Sequence, residues 1–360
     1  MASSSSSPPS SSSPVPRLPL AVLLLVVPLA VLLAGAGVAE ARPPPPLRGV
    51  RPLAFDEGYT QIFGSGNLAL LRDGRRVRLA LDESTGAGFA SQDLFLHGFF
   101  SAAIRLPADY AAGVVVAFYL SNGDVYEKTH DELDFEFLGN VRGREWRVQT
   151  NVYGNGSTHA GREERYDLPF DPTDDFHHYS ILWTSRRIIF YVDETPIREV
   201  VRTAAMGAAF PSKPMSLYAT IWDGSAWATL GGRYRVNYKY APFVAEFADL
   251  VLHGCAVDPS DDRSSSAAAA AASCDAASSL ESLAVSAEQR AGMAAFRRGH
   301  MSYSYCHDRR RYPAPLSECA AAAGGSLLPG RLFGPDGMRQ RRHHRGAAAR
   351  GHRAAQDDVM

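Results

Sequence analysis

The sequence is poor in cysteine, in net charge and in helical periodicity. Its 360 residues include four cysteines, none before residue 255, and no CxxC spacing supports a zinc site. The net charge of -1 at pH 7 gives no reason to expect nucleic acid as a partner. Internal repeats are absent, and few stretches between residues 55 and 254 have a useful helical period. The hydrophobic share of 46% and the charged share of 21% are ordinary for a globular protein.

The first 41 residues have the pattern of a secretory signal. A Ser/Pro-rich stretch with one positive charge, Arg17, precedes an apolar run over residues 18–38, and Ala39-Glu40-Ala41 is a small-x-small cleavage pattern. A signal anchor is the alternative, because about twenty apolar residues can span a bilayer. Pro28, the small residues and the cleavage pattern favour removal. We therefore expect a secreted protein that has no membrane association after cleavage.

Changes in composition divide the chain. We expect a signal peptide over 1–41, a Pro-rich linker over 42–50, a catalytic β-sandwich over 51–254, an extension with two disulfides over 255–325, and a basic, disordered tail over 326–360.

Short apolar or alternating runs, separated by Gly, Asp, Asn and Pro, fill the central region. Their spacing and their β-branched and aromatic content predict an all-β sandwich. The expected strands are Val77–Leu81, Gly98–Leu106, Val114–Leu120, Glu132–Phe137, Arg147–Tyr153, His178–Trp183, Ile188–Val192, Met215–Ile221 and Phe247–Leu252.

The region after Cys255 differs in character. Asp261–Ser279 is a Ser/Ala low-complexity stretch, and Leu280–Gly299 has the composition of a helix. An even number of cysteines in an exported protein suggests two disulfides with three possible connectivities, of which nearest-neighbour pairing closes the shortest loops. Asn155-Gly156-Ser157 matches the N-glycosylation pattern.

The most informative segment is HDELDFEF, residues 130–137. A β-strand has period two, so the acidic side chains and the apolar side chains of this segment lie on opposite faces. The apolar face can pack in a core. Burying three unpaired carboxylates would cost several kcal/mol, so we expect the acidic face to line a solvated cleft. That face carries His130, Glu132, Asp134 and Glu136.

Several interpretations of this acidic face are open. A solvent-exposed face without function is disfavoured, because neighbouring like charges repel. Calcium binding is disfavoured too, because calcium loops draw ligands from turns rather than from a regular strand backed by apolar residues. Glycoside hydrolysis needs two carboxyls, about 5–5.5 Å apart for retention and about 6.5–9.5 Å apart for inversion.

The spacing of the two glutamates is compatible with such a pair. Residues four apart on a strand have Cα atoms about 13 Å apart, and inward-leaning glutamates on a curved strand can close most of that gap. Asp134 could orient a nucleophile and keep a neighbouring glutamate protonated. Spacing alone decides neither the stereochemistry nor which glutamate has which role.

The decamer HDELDFEFLG, residues 130–139, resembles the active-site strand of plant xyloglucan endotransglucosylase/hydrolases, in glycoside hydrolase family sixteen. The resemblance covers about residues 50–320. The positions at which this sequence departs from the family's usual motifs resemble the family's divergent third group. The supporting motifs, in the family's order, are QTNVY (149–153), GREER (161–165), LPFDPT (168–173), YSILW (179–183), WAT (227–229), YSYC (303–306) and RYP (311–313).

The resemblance implies a jelly-roll, concanavalin A-like sandwich with an open substrate cleft and a retaining mechanism. Carried over by position, Glu132 is the nucleophile, Glu136 the acid/base and Asp134 the helper. The family pairs its C-terminal cysteines consecutively, which implies the disulfides Cys255–Cys274 and Cys306–Cys319. The substrate-binding residues implied in the same way are Glu136, Gln149, Thr150, Asn151, Gly161, Arg162, Glu163, Ala226, Trp227 and Gly231.

The activity implied is transfer of one xyloglucan chain onto the end of another. Xyloglucan donor and acceptor chains would be the partners, and we expect no cofactor, no metal and a monomer in the cell wall and apoplast. The alternatives are a xyloglucan-specific endo-hydrolase and a non-catalytic glycan-binding protein. Trp227 and Tyr153 are candidates for stacking on sugar rings, with core packing as the other role open to them.

Overall fold

The computed structural model describes residues 50–142, 145–257, 274, 280, 284–319 and 332–340. The expected signal peptide, the linker before residue 50, the Ser/Ala stretch apart from Cys274, and the tail beyond residue 340 lie outside the described residues. Within the described part of the chain, none of the helices is long and apolar enough to cross a membrane.

The described part of the chain is built mainly of strands, with few helices. Among the described residues, the helices include α1 (Phe55–Gly58) and α2 (Ala287–His300), together with four one-turn 3-10 helices in connecting loops. The strands are β1 (Tyr59–Phe63), β2 (Leu68–Leu71), β3 (Arg76–Leu81), β4 (Ala87–Ser91), β5 (Leu94–Arg105), β6 (Val114–Ser121), β7 (Glu132–Leu138), β8 (Arg147–Tyr153), β9 (Glu164–Asp167), β10 (His177–Trp183), β11 (Arg187–Val192), β12 (Thr195–Val201), β13 (Ser216–Asp223), β14 (Phe243–Val257), β15 (Met301–Asp308) and β16 (Asp336–Met338).

The strands form two antiparallel sheets that make a jelly-roll-like sandwich, as expected. One sheet has nine strands in the order β1-β4-β13-β6-β7-β8-β9-β15-β16, and the other has seven in the order β12-β11-β10-β5-β14-β3-β2. Strand β7, which carries the acidic residues, is the central strand of the larger sheet. It is therefore hydrogen-bonded on both sides, to β6 and β8.

Aromatic packing between the sheets holds β7 in place. Phe135 and Phe137 are fully buried. The Phe135 ring centroid lies 5.3 Å from that of Phe190, and the Phe137 centroid lies 4.6 Å from that of Tyr179. Because β10 and β11 of the other sheet supply these partners, the alternate residues of β7 face outward.

All nine strands expected from the sequence are present, with ends displaced by a few residues. The predicted helix is shorter than expected: it begins at Ala287 rather than Leu280. Ser286 caps it, because the Ser286 hydroxyl accepts from the Gln289 amide while the Gln289 side chain accepts from the Ser286 amide. This reciprocal capping box sets where a helix begins.

The C-terminal extension is attached to the larger sheet. Strand β15 pairs with β9, and β16 pairs with β15. The prediction of a disordered tail from residue 326 is therefore wrong for residues 332–340, because β16 is hydrogen-bonded within this sheet. The two disulfides join Cys255 to Cys274 and Cys306 to Cys319, the consecutive pairing that the family resemblance implies.

Candidate active site

The outward side chains of five neighbouring strands form an open cleft of about 450 Å³ on the larger sheet. The cross-strand register explains its composition. Glu136 lies opposite Ala117 on β6 and Gln149 on β8, and Asp134 lies opposite Tyr119 and Asn151. The lining residues are Ala117, Tyr119, Glu132, Asp134, Glu136, Gln149, Asn151, Tyr153, Glu163, Arg165, Thr220, Trp222 and Trp227.

Asp134 is the most enclosed of the three acids. It is only 5% exposed, so the expectation that the whole acidic face is solvated is wrong at this position. Its neighbours on β6 and β8 cover it. Burial raises the pKa of Asp134 well above its usual range, and the charges of Glu132, Glu136 and Glu163 raise it further. Asp134 therefore holds its proton to a higher pH than an ordinary aspartate does, and the protonated carboxyl can donate a hydrogen bond.

Glu132 receives that hydrogen bond. Burial raises the pKa of Glu132 above its ordinary value, while hydrogen bonds from Ser121 and Asp134 and the nearby His130 lower it. These partners favour the ionised form, because each stabilises negative charge on the carboxylate. Glu132 thus has two hydrogen-bond donors to its carboxylate, Ser121 and Asp134, while burial leaves its pKa above the ordinary value.

Glu136 has a different environment. Its Oε2 accepts from Gln149 Nε2 at 2.5 Å. Burial raises the pKa of Glu136 to about 7, and the Glu132 and Glu163 charges act in the same direction, while Gln149 and Arg165 oppose them. The two glutamates of this strand therefore have unlike surroundings, which is how one fold gives two carboxyls different roles.

Aromatic rings flank the acids. The Trp222 and Trp227 ring centroids are 6.0 Å apart, and both rings line the cleft together with Tyr153 and Tyr119. Trp222, Trp227 and Tyr153 are partly exposed. The structure therefore places Tyr153 and Trp227 at the cleft rather than in the core between the sheets.

Of the residues predicted to bind substrate, five line the cleft. They are Glu136, Gln149, Asn151, Glu163 and Trp227.

Thr150 does not belong with them. It is 0% exposed, because it alternates with Gln149 and Asn151 and faces the interior. Its hydroxyl accepts from Arg198 Nη1 at 2.9 Å. The Thr150 side chain therefore does not line the cleft.

The other predicted residues lie outside the cleft lining. Arg162 is buried and forms an ion pair with Glu318, with 2.5 Å between Nε and Oε1, so its guanidinium anchors the extension. Gly161 is also buried, and its carbonyl accepts from Tyr312 Oη at 2.5 Å. Ala226 and Gly231 are exposed in the loop that carries Trp227.

Sequence reasoning missed several lining residues, of which Arg165 is the most consequential. Its Nε donates to Gln149 Oε1 at 2.6 Å, and Gln149 lies directly opposite it in the register of β8 and β9. Arg165 follows the predicted Glu163 by two positions. Strand alternation was thus the available signal, but β9 is too short and polar to be recognised as a strand from sequence.

A buried aspartate fixes the start of β7. Asp131 is 1% exposed and accepts from Lys213 Nζ at 3.0 Å. It also accepts from the backbone amides of Ser212, Lys213 and Asn155. Asn155, in the predicted glycosylation pattern, is exposed in the same loop. Asp131 therefore ties two loops to the strand that carries the acids.

The described residues contain no group of three or more His, Cys, Asp or Glu side chains arranged to hold a metal ion. The cleft also offers two carboxyls on one strand, Glu132 and Glu136, as cleavage of a glycosidic bond requires. Fold and site together define a β-sandwich enzyme of glycoside cleavage or transfer.

Comparison with known proteins agrees. The family model described as glycosyl hydrolases family 16 matches residues 55–240, and the one described as xyloglucan endo-transglycosylase (XET) C-terminus matches residues 273–319. The chain belongs to glycosyl hydrolase family 16, with the XET C-terminal region.

Among curated relatives, the Arabidopsis thaliana protein named probable xyloglucan endotransglucosylase/hydrolase protein 28 is 66% identical over 74% of this chain and 79% of its own length. The corresponding protein 27 of the same plant is 65% identical over 74% of this chain and 78% of its own. Among solved structures, a prokaryotic beta-1,3-1,4-glucanase (lichenase) derived from a mouse hindgut metagenome aligns with a TM-score of 0.45 at 25% identity, over 56% of this chain and 96% of that one.

Proposed function

We propose that this protein is a retaining xyloglucan endotransglucosylase, which cleaves the β-1,4-glucan backbone of xyloglucan and rejoins it to another xyloglucan chain end. The names of the relatives support the substrate. The observation that carries the chemistry is the set of three acids on β7, in which a desolvated Asp134 lies between an ionisable Glu132 and a Glu136 with a pKa of about 7.

Glu136 acts as the acid/base. With a pKa of about 7 it keeps its proton in a mildly acidic medium, so it can protonate the oxygen of the scissile bond. Glu132 attacks the anomeric carbon as that oxygen leaves, and a covalent glycosyl-enzyme forms. Glu136, now ionised, takes the proton of the incoming hydroxyl, and the oxygen of that hydroxyl displaces Glu132 from the anomeric carbon.

Asp134 acts as a neutral hydrogen-bond donor to the nucleophile. Its raised pKa keeps the proton on Asp134, and the hydrogen bond lowers the pKa of Glu132. The donor orients the attacking oxygen toward the anomeric carbon. It also stabilises the Glu132 carboxylate when that group is released in the second step.

The choice between transfer and hydrolysis depends on whether a sugar hydroxyl or water reaches the glycosyl-enzyme first. Trp222, Trp227 and Tyr153 offer aromatic faces at the cleft, and such faces pack well against sugar rings. A sugar chain held there excludes water and supplies the acceptor hydroxyl. These rings, together with Gln149 and Glu163, are the substrate contacts that we propose.

Two other functions use the same cleft. A xyloglucan-specific endo-hydrolase would share all of the catalytic residues and differ only in admitting water as the acceptor. A non-catalytic glycan-binding protein would keep the aromatic rings but would have no need for two buried glutamates and an aspartate on one strand face. The electrostatics of β7 therefore favour an enzyme over a binding protein.

The export, location and glycosylation of the chain are part of the same proposal. We propose that the chain is exported after cleavage near Ala41, acts as a monomer in the cell wall and apoplast, and carries a glycan at Asn155. The sandwich over 51–254 would be the catalytic domain and residues 255–325 the extension. The exposed position of Asn155 supports the glycan, because the transferring enzyme needs an accessible loop.

A labelled xyloglucan oligosaccharide, incubated with the enzyme and unlabelled polymer, tests the function. Label incorporated into polymer means transfer, and new reducing ends without incorporation mean hydrolysis. If neither product forms, only binding remains, and the proposal is contradicted. Glu132→Ala should abolish both products, while Arg78→Met on the other sheet should retain them. Turnover by folded Glu132→Ala would contradict the assignment of the nucleophile.

A further inference from the structure

The amide of Gln149 has only one orientation that satisfies its neighbours. A guanidinium carries donors and no acceptor, so the atom that faces Arg165 must be the amide oxygen. The contact between Arg165 Nε and Gln149 Oε1 is 2.6 Å. The amide nitrogen then points at Glu136 and donates to its Oε2 at 2.5 Å. Arg165 thereby determines that Glu136 receives a donor rather than an acceptor from Gln149.

Arg165 is itself held by the C-terminal extension. Tyr303 of β15 lies opposite Arg165 in the strand register, and the Arg165 guanidinium carbon lies 5.0 Å from the centroid of the Tyr303 ring. Cation–π contacts of this kind favour one placement of the guanidinium plane. Ser302 adds a hydrogen bond to the Arg165 carbonyl at 3.2 Å. The extension therefore supports both the backbone and the side chain of Arg165.

We propose that Arg165 is a positioning residue for the acid/base, which it controls through the orientation of the Gln149 amide, and that strand β15 of the extension holds it in place through Tyr303. The inference rests on the proposed role of Glu136. It gives the extension a part in the chemistry, since Tyr303, Arg165 and Gln149 form a continuous contact path to Glu136.

The charges around Glu136 determine the direction of the expected effect. Gln149 and Arg165 lower the pKa of Glu136, whereas burial and the carboxylates raise it. Burial also raises the pKa values of Tyr119 and Tyr153, so both phenols are neutral. Loss of Arg165 should therefore raise the pKa of Glu136. The titratable or charged groups facing this part of the cleft are Tyr119 from β6, His130, Glu132 and Asp134 from β7 and its start, Tyr153 from β8, and Glu163 and Arg165 around β9.

The kinetic test is the pH profile of kcat/KM for transfer. The first step needs protonated Glu136, so activity falls as pH rises through its pKa. Arg165→Met should move this alkaline limb upward by about one pH unit and lower kcat by roughly ten-fold to a hundred-fold, because the acid is misplaced. Gln149→Leu should shift the limb in the same direction. The double variant should lose little more kcat than Gln149→Leu alone, because Arg165 positions the acid through Gln149, whereas the direct effect of the Arg165 charge on the Glu136 pKa adds to that of Gln149.

Further variants separate positioning from other roles. Tyr303→Leu should give a smaller upward shift, and Tyr303→Phe, which keeps the ring, should restore the wild-type limb. Arg78→Met on the seven-stranded sheet should leave the limb in place. If Arg165→Met does not fold, Arg165→Lys replaces it in the test. Lysine keeps the positive charge but not the planar guanidinium, so we expect a smaller shift of the alkaline limb.

A direct titration makes the inference independent of turnover. The ¹³C-labelled carboxyl of Glu136, assigned by its absence in Glu136→Gln, should titrate about one unit higher in Arg165→Met than in wild type. An unchanged carboxyl pKa in folded Arg165 variants, or a raised KM with an unmoved alkaline limb, would make Arg165 only a sugar contact and overturn the proposal. Additive losses of kcat in Arg165→Met and Gln149→Leu would overturn the path through Gln149. Failure of wild-type transfer alone would instead count against the proposed function.

Discussion

Exchange of Asp134 for asparagine is the perturbation that most clearly separates a neutral from a charged role for this residue. Asp134 is buried, and burial with three neighbouring carboxylates raises its pKa well above the usual range. If it works as a neutral donor to Glu132, the asparagine amide can take over that hydrogen bond at nearly the same size. Alanine cannot, and it leaves the nucleophile without one of its two donors.

The magnitude follows from the hydrogen bond that is lost. A hydrogen bond to a charged group contributes about 1.5–3 kcal/mol, which corresponds to a rate loss of about 10- to 150-fold. We expect Asp134→Ala to lose that much in kcat/KM for transfer, and Asp134→Asn to remain within about ten-fold of wild type. The assay is incorporation of labelled oligosaccharide into xyloglucan at the wild-type pH optimum.

Stability measurements on both variants provide the control. Each removes an acid from a crowded group of acids, so neither should unfold the sandwich, and thermal unfolding checks this. If folded Asp134→Asn is as inactive as Asp134→Ala, the negative charge of Asp134 is needed in the reaction. The assignment of Asp134 as a neutral donor would then be refuted.

Three further predictions concern stability, measured by urea unfolding. Because the pKa of Glu136 is raised from 4.5 to about 7 on folding, the folded state holds a proton that the unfolded chain releases, so stability falls as pH rises through this window. Glu136→Gln should remove that slope and stabilise the protein at pH 7 by up to about 3 kcal/mol; an unchanged slope would contradict the raised pKa. Burial alone would raise the pKa of Glu164, but Arg297 and Arg198 lower it to about 2. Arg297→Met should therefore destabilise by about 3–5 kcal/mol above pH 4.5, less as pH falls toward 2; a loss independent of pH would point to packing instead. Asp131→Ala, which strips Lys213 and three backbone amides of their acceptor, should cost about 3–5 kcal/mol, and a cost below about 1 kcal/mol would mean that water replaces the carboxylate.

The strands recognised from sequence are those whose own residues carry the pattern. In β7, Phe135 and Phe137 alternate with Asp134 and Glu136, and this alternation predicted both the strand and the face that it exposes. In contrast, β9 has the sequence ERYD, which has no apolar alternation. Glu164 is buried there because Arg297 of α2 pairs with it. A partner so distant along the chain leaves no local signal.

The same distinction explains what was missed in the site. The outward direction of the acids follows from period two, but the burial of Asp134 depends on Tyr119 and Asn151 lying opposite it on adjacent strands. The role of Arg165 depends on the pairing of β9 with β8 and β15, which joins residues from three separate regions of the chain. Thr150 shows the converse case, because a motif carried over as a block takes no account of the alternation that turns the Thr150 side chain to the interior.

The central claim is that Glu132 attacks the anomeric carbon and forms a covalent glycosyl-enzyme. A slow mechanism-based donor, such as a 2-deoxy-2-fluoro glycoside of a xyloglucan oligosaccharide, should trap this intermediate. Peptide mapping by mass spectrometry should then find the sugar on Glu132, with no adduct in Glu132→Ala, and an acceptor oligosaccharide should release it. An adduct on Glu136, or complete turnover with inversion at the anomeric carbon and no adduct, would contradict the mechanism.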